Sequence, residues 1–159
     1  AEELKIDFEI DFSDAVIGHQ EKSLNMANGA FVHELCDSRT FCRKADIDAM
    51  RDRGLIAGGS VTSAVVVDGN DVVTPGGMRH VDEPVRHKML DALGDLALAG
   101  APILGRYVGH RAGHAMTNRL LRALFADPSA FELVECDASM TARLPGAGLR
   151  RSDGIGHAA

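Results

Sequence analysis

The chain has 159 residues, 45% of them hydrophobic, which is enough apolar material for the core of one domain. Its 23 acidic and 17 basic side chains leave a formal charge of −6, and the bases are interleaved with acids, as in Arg51-Asp52-Arg53; both features argue against a binder of nucleic-acid backbones. No apolar run approaches the roughly 20 residues that span a bilayer, and the opening Ala-Glu-Glu-Leu-Lys lacks the basic and apolar regions of a signal peptide.

Lys5 to Phe12 alternates, with apolar residues at 6, 8, 10 and 12, which predicts a strand with one buried face. A short second strand is expected at Ser23–Met26, then a short helical patch around Phe31, Val32 and Leu35 that ends near Asp37-Ser38. Ile47 and Met50 place a helix over Ala45–Arg53, stopped by Gly54. The valines at 65–67 and at 72–73 flank Asp68-Gly69-Asn70-Asp71, the chemistry of a β-hairpin turn. The strongest helix opens at Asp82-Glu83-Pro84 and runs to Ala99, with Gly100 and Pro102 beyond it. Its apolar stripe is Val85, Met89, Leu93 and Leu96. A strand over Ile103–Val108 follows. A second helix is expected over about Ala112–Ala126, with Met116, Leu120, Leu124 and Phe125 facing inward, and a last strand at Phe131–Glu135. From residue 145 the Gly-, Arg- and Ala-rich segment is expected to be a disordered tail. Hairpins rather than regular β-α-β units make the fold class α+β, a sheet layered against two main helices, in one domain over residues 1–144.

Three cysteines (Cys36, Cys42 and Cys136) without a C-x-x-C pair point away from a disulfide framework or a thiolate zinc site, and towards a reducing cytoplasm. The chain starts on a strand-like segment without Met, which suggests that something precedes Ala1.

His87, Asp91 and Asp95 fall at i, i+4 and i+8 of the strongest helix, hence on one face, and residues four apart are near enough to share a metal ion. The same spacing fits an exposed ion pair. His114 stands at the start of the second helix, where a cation opposes the helix dipole, so a charged His114 needs a carboxylate; Asp95 is the candidate. The functional reading of His114 is a general acid or an oxyanion stabiliser, and the plain reading is a surface histidine. Lys88 and Arg111 adjoin these residues and could hold phosphate. Gly58-Gly59-Ser60 lacks the rest of a phosphate-binding loop signature.

Four ordered segments carry more information than spacing: Arg-Thr-Phe at 39–41, R-G-L-I-A-G-G-S at 53–60, D-E-P-V-R-H-K-M-L-D-A-L-G-D at 82–95 and G-H-A-M-T-N-R-L-L at 113–121. In sequence, order and separation they resemble the second domain of the zinc-dependent UDP-3-O-acyl-N-acetylglucosamine deacetylases of lipid A synthesis in Gram-negative bacteria. The resemblance implies a two-domain enzyme with its active site between the domains. It implies His87 and Asp91 as metal ligands, His114 as general acid or electrostatic stabiliser, Asp95 as the carboxylate that orients it, and Thr40 near the developing oxyanion. Lys88 and Arg111 would lie near the diphosphate, and Phe12 with Phe41 near the rest of the substrate. An insert over about residues 43–74 would form an acyl-chain passage lined by Ile47, Leu55, Ile56, Ser60, Ala64 and Val66.

The cofactor implied is zinc, although ferrous iron also accepts His and Asp ligands. The first domain, absent here, would supply a Glu base and a third ligand, His. Cys42-Arg43 replaces the family's usual Gly-Phe, and Arg111 its usual Lys. Half of a deacetylase is therefore the leading expectation. The competing ones are a non-catalytic domain that binds a nucleotide sugar, an acyl chain or a partner protein, and an unrelated metal-binding module.

Overall fold

A computed structural model describes residues 1–13, 16–54 and 63–149. Strand β1 (Leu4–Asp11) is the centre of a three-stranded mixed sheet. It pairs antiparallel with β2 (His19–Asn25) and parallel with β6 (Gly105–His110). The predicted alternation holds: Leu4, Ile6, Phe8 and Ile10 are buried, while Lys5, Asp7 and Glu9 turn outward. Helix α2 (Glu83–Leu96) lies on the buried face and meets β1 through Val85, Met89, Ala92 and Leu96. A 3-10 turn (Ala97–Ala99) extends it to Gly100, whose φ of 79° lets the chain leave in a left-handed conformation. Helix α3 (His114–Ala126) packs beside α2.

A second sheet joins β3 (Thr40–Arg43), β4 (Ala64–Asp68) and β5 (Asp71–Val72) in the order β3-β4-β5. The hairpin β4–β5 is as expected, with Asp68 opposite Asp71. Helix α1 (Lys44–Asp52) follows β3, and β3 then pairs in parallel with β4. This one parallel return joins the expected hairpin without making a regular β-α-β series; a four-residue strand is too short to show periodicity. Mixed helices and small sheets give the expected α+β class. A short α4 (Ala138–Thr141) is capped by Asp137, which accepts from the Met140 amide at 2.7 Å.

Four expectations are corrected. The strand expected at Ser23–Met26 begins at His19, because its inward positions include Gln20 and Lys22, which carry polar contacts rather than apolar packing. Lys22 pairs with Asp82 at 3.1 Å. Gln20 Oε1 accepts from the Val85 amide at 3.2 Å, satisfying one of the free N–H groups at the start of α2. The strand expected at Ile103–Val108 runs from Gly105 to His110, since its partner β1 begins only at Leu4, opposite Gly105. Phe131–Glu135 forms no strand: it pairs with none of the described strands, and Leu133 and Val134 are 86% and 51% exposed. On α3, Met116, Leu120 and Phe125 face outward, about half exposed, and the buried positions are Thr117 and Leu121. The Thr117 hydroxyl meets Tyr107 Oη at 3.0 Å, so a polar residue occupies the inner stripe.

Of the segment expected to be a disordered tail, residues 145–149 lie against the body, with Leu149 next to Gly29, and the rest falls outside the described residues. Among the described residues no helix is long and apolar enough to cross a membrane.

Candidate metal and catalytic site

Burial of Val85, Met89 and Ala92 against β1 fixes the rotation of α2 and directs His87, Asp91 and Asp95 away from the core. His87 Nε2 lies 3.3 Å from Asp91 Oδ1, and both side chains are only 16% exposed. Lys88 Nζ takes the other oxygen of Asp91 at 2.9 Å and lies 5.9 Å from the centroid of the Phe41 ring. Phe41 meets Phe12 edge-on at 5.2 Å. Phe12, Phe41, Lys88, Asp91 and His87 therefore form one continuous patch where β1, β3 and α2 converge.

At the far end of the row, His114 Nδ1 lies 2.9 Å from each oxygen of Asp95, and its Nε2 is 3.9 Å from Asp91 Oδ2. The carboxylate expected beside His114 is thus present. Arg111, at the turn into α3, has a φ of 48°, rare for a residue with a side chain. Its amide donates to Glu9 O at 2.9 Å and its guanidinium pairs with Asp11, the residue before Phe12. Thr40 begins β3 opposite Ala64 and is exposed.

The expected passage residues divide. Ile47 is half-buried on α1, Ala64 is half-buried and Val66 is buried in β4, while Leu55, Ile56 and Ser60 lie outside the described residues. Burial and the nearby charge of Asp46 push the Cys42 thiol above its usual pKa, which keeps it protonated and unreactive.

Three residues that support the row are not singled out by the sequence. His87 Nδ1 donates to the Ser38 carbonyl at 3.2 Å. The same peptide's N–H, that of Arg39, donates to Glu83 Oε1 at 2.9 Å. Glu83 is fully buried and also receives the Arg39 guanidinium and the Arg79 amide. Burial opposes its charge, but these donors outweigh that cost and hold its carboxyl below the ordinary range. From the sequence, Glu83 reads only as a first-turn acid that suits the helix dipole. A backbone carbonyl such as that of Ser38 leaves no sequence signal.

The geometry suits one metal ion in part. Two ligands of a tetrahedral zinc, each at about 2.0–2.2 Å, stand roughly 3.3–3.5 Å apart, which matches the separation of His87 and Asp91. A metal-bound histidine characteristically donates its other nitrogen to a carbonyl or carboxylate, as His87 does to Ser38. Among the described residues no group of three His, Cys, Asp or Glu side chains is disposed to hold a metal, so the set here is two-membered.

The family profile of LpxC, UDP-3-O-acyl N-acetylglycosamine deacetylase, matches residues 1–126. A UDP-3-O-acyl-N-acetylglucosamine deacetylase from Phenylobacterium zucineum (strain HLK1) is 47% identical over 133 residues, which are 84% of this chain and 45% of that protein. The protein of the same name from Shewanella violacea (strain JCM 10179 / CIP 106290 / LMG 19151 / DSS12) is 44% identical over 140 residues, 87% of this chain and 46% of that protein. That from Anaeromyxobacter sp. (strain Fw109-5) is 40% identical over 142 residues, 88% of this chain and 47% of that protein. The chain spans about half the length of the curated relatives it matches, and the match covers their second half. By the extent of these matches, the chain belongs to the UDP-3-O-acyl N-acetylglycosamine deacetylase family.

Proposed function

We propose that this chain forms one half of the active site of a zinc-dependent deacetylase, which removes the N-acetyl group of UDP-3-O-(3-hydroxyacyl)-N-acetylglucosamine in lipid A synthesis, in the cytoplasm of Gram-negative cells. A first domain would supply a Glu base and a third ligand, His. The observation that carries this reading is the separation of His87 Nε2 and Asp91 Oδ1, which suits two corners of a zinc tetrahedron. The printed names of the relatives support the substrate assignment.

In this reading His87 and Asp91 hold the ion, with ferrous iron an alternative for the same donors. Zinc, when bound, acts as a Lewis acid and brings the pKa of a coordinated water to about 7. His114, held through Nδ1 by Asp95, presents Nε2 to the oxyanion and the leaving amine, and gives that amine its proton. Thr40 would stand near the oxyanion. Lys88 and Arg111 provide positive charge for the diphosphate, and Phe12 with Phe41 an aromatic wall for the nucleotide. The segment 43–74, with Ile47, Leu55, Ile56, Ser60, Ala64 and Val66, shields the acyl chain; each methylene removed from water contributes about 0.8 kcal/mol.

One observation favours a second reading, a non-catalytic module. Leu4, Phe31, Leu90, Leu93, Leu96 and Ile103 line an apolar cleft of about 630 Å³ that could take an acyl chain or an apolar segment of a partner.

The test is to assay deacetylation by the 159-residue chain alone and after joining it to the first half of a relative, with zinc titrated into each. Turnover is expected only in the joined protein, and zinc binding should vanish with His87→Ala. Robust turnover by the chain alone sinks the half-site reading. Equal zinc binding by wild type and His87→Ala refutes His87 as a ligand and leaves the binding module.

A further inference from the structure

We infer that Glu83 and Arg39 are positioning residues for His87: they hold the Ser38–Arg39 peptide so that its carbonyl keeps the proton on His87 Nδ1 and turns the free Nε2 towards Asp91. The inference rests on the zinc reading for its purpose, but the tautomer can be measured without metal.

One planar peptide is gripped at both ends by one helix. Its C=O, from Ser38, accepts from His87 Nδ1 at 3.2 Å, and its N–H, from Arg39, donates to Glu83 Oε1 at 2.9 Å. Glu83 and His87 are four residues apart on α2, so both reach the turn from the same helix face. A carbonyl has no proton to give, so it can pair only with a protonated Nδ1. In the neutral ring that leaves Nε2 as the nitrogen with a lone pair. Donation of the peptide N–H to a carboxylate polarises the peptide and makes its carbonyl a stronger acceptor.

Glu83 is equipped to hold that peptide still. Oε1 accepts from the Arg39 amide and from Arg39 Nε, both at 2.9 Å. Oε2 accepts from Arg39 Nη2 at 3.1 Å and from the Arg79 amide at 2.6 Å. These four bonds fill the acceptor sites of the carboxylate. Arg39 Nη2 also reaches the Gly77 carbonyl at 2.7 Å, tying the segment before α2 into the same cluster. Burying a full ion pair is a poor device for stability alone, because apolar side chains of similar size often serve as well or better. What this pair adds is a fixed direction for the Ser38 carbonyl.

The experiment records imidazole 15N spectra of the metal-free chain and its Zn2+ affinity, for wild type, Glu83→Gln and Arg39→Lys. Amide dispersion in the same samples shows which variants are folded; Arg39→Lys keeps the charge and guards against the loss of Glu83→Gln to unfolding. Wild-type His87 is expected to carry a proton on Nδ1, as the Nδ1–H tautomer wherever the ring is neutral. The folded variants should give a mixture of tautomers, with Zn2+ bound roughly 10- to 100-fold more weakly. A folded variant that keeps the wild-type tautomer, or the wild-type Zn2+ affinity, overturns the inference, as does wild-type His87 in the Nε2–H form. Loss of the tautomer preference in the folded variants only, with a wild type that never binds Zn2+ even when joined to a first half, refutes the zinc reading and supports the positioning role.

Discussion

His114 and Asp95 join the start of α3 to the end of α2, with a single ring nitrogen 2.9 Å from both carboxylate oxygens. Asp95 is 17% exposed and His114 67%, so a half-buried acid steers an exposed ring, whose Nε2 stays on the side of Asp91. The arrangement is asymmetric: removing His114 removes the group that would move the proton, whereas removing the charge of Asp95 leaves it in place but poorly aimed.

Kinetics should show that asymmetry. In the chain joined to a first half, His114→Ala should lower kcat by about 10²- to 10⁴-fold, the usual worth of a general acid. Asp95→Asn should cause a smaller fall in kcat, with KM little changed. Equal losses from the two substitutions would show that His114 acts only as a partner for Asp95.

Acid should destabilise the fold through a small set of carboxylates. Burial opposes ionisation of Glu83 and Asp82, but hydrogen bonds from Arg39 and Arg79, and from Arg86 and Lys22, outweigh it. At Asp7 the Ser23 hydroxyl is the chief cause, with Arg106 adding to it. All three carboxyls are held below their ordinary values, about 3.9 for Asp and 4.3 for Glu in an unfolded chain. Between folded and unfolded values the unfolded state binds more protons, so stability rises with pH there. Their contribution is complete above about pH 4.3 and is lost as pH falls through the depressed folded values. Glu83→Gln should therefore be less stable at pH 7, by about 3–5 kcal/mol where it strands the buried Arg39. It should also show a shallower loss between pH 5 and 3. Urea midpoints across that range supply the check, and an unchanged slope would mean that Glu83 is not depressed.

Gly109 is expected to resist any side chain. A Cβ there would stand 2.6 Å and 2.7 Å from two ring carbons of Phe8, its partner across β1–β6, and 2.9 Å from Tyr107. Both rings are buried and stacked at 6.3 Å, so neither has solvent to yield into. Gly109→Ala should cost about 1–3 kcal/mol by overpacking. Equilibrium unfolding would measure it. Adding Phe8→Leu should recover part of the loss, a non-additivity expected only if the two positions touch.

Legibility in the sequence followed how local each constraint is. Helix α2 and the β4–β5 hairpin could be read because their signals (an apolar stripe, Pro84, Gly100, Asp68-Gly69) lie within the elements themselves. Strand β2 hid its extent because Gln20 and Lys22 serve a helix start about 60 residues away. The inner stripe of α3 departs from its apolar pattern because Thr117, satisfied by Tyr107, looks polar in a sequence and apolar residues sit on its other faces. The same division runs through the site. The row His87, Asp91 and Asp95 follows from helical spacing, whereas its anchor is a backbone carbonyl aimed by the contact of Arg39 with Glu83, two residues 44 positions apart.

The outward face of α3 gives the last prediction. Met116 is 48%, Leu120 50% and Phe125 47% exposed, and Val108 and Leu133 are exposed as well, so apolar side chains face solvent along more than one turn. Exposed apolar surface of this kind favours association. In the proposed enzyme the first domain is expected to cover this face, and in the isolated chain another copy is expected to do so. Leu120→Glu should then change stability by no more than about 0.5 kcal/mol, as for a surface position. The same substitution should reduce self-association in light scattering and weaken rescue of activity when the first half is supplied as a separate chain. A variant that loses stability instead, with association unchanged, would mean that Leu120 packs within this chain and that α3 keeps its apolar face for itself.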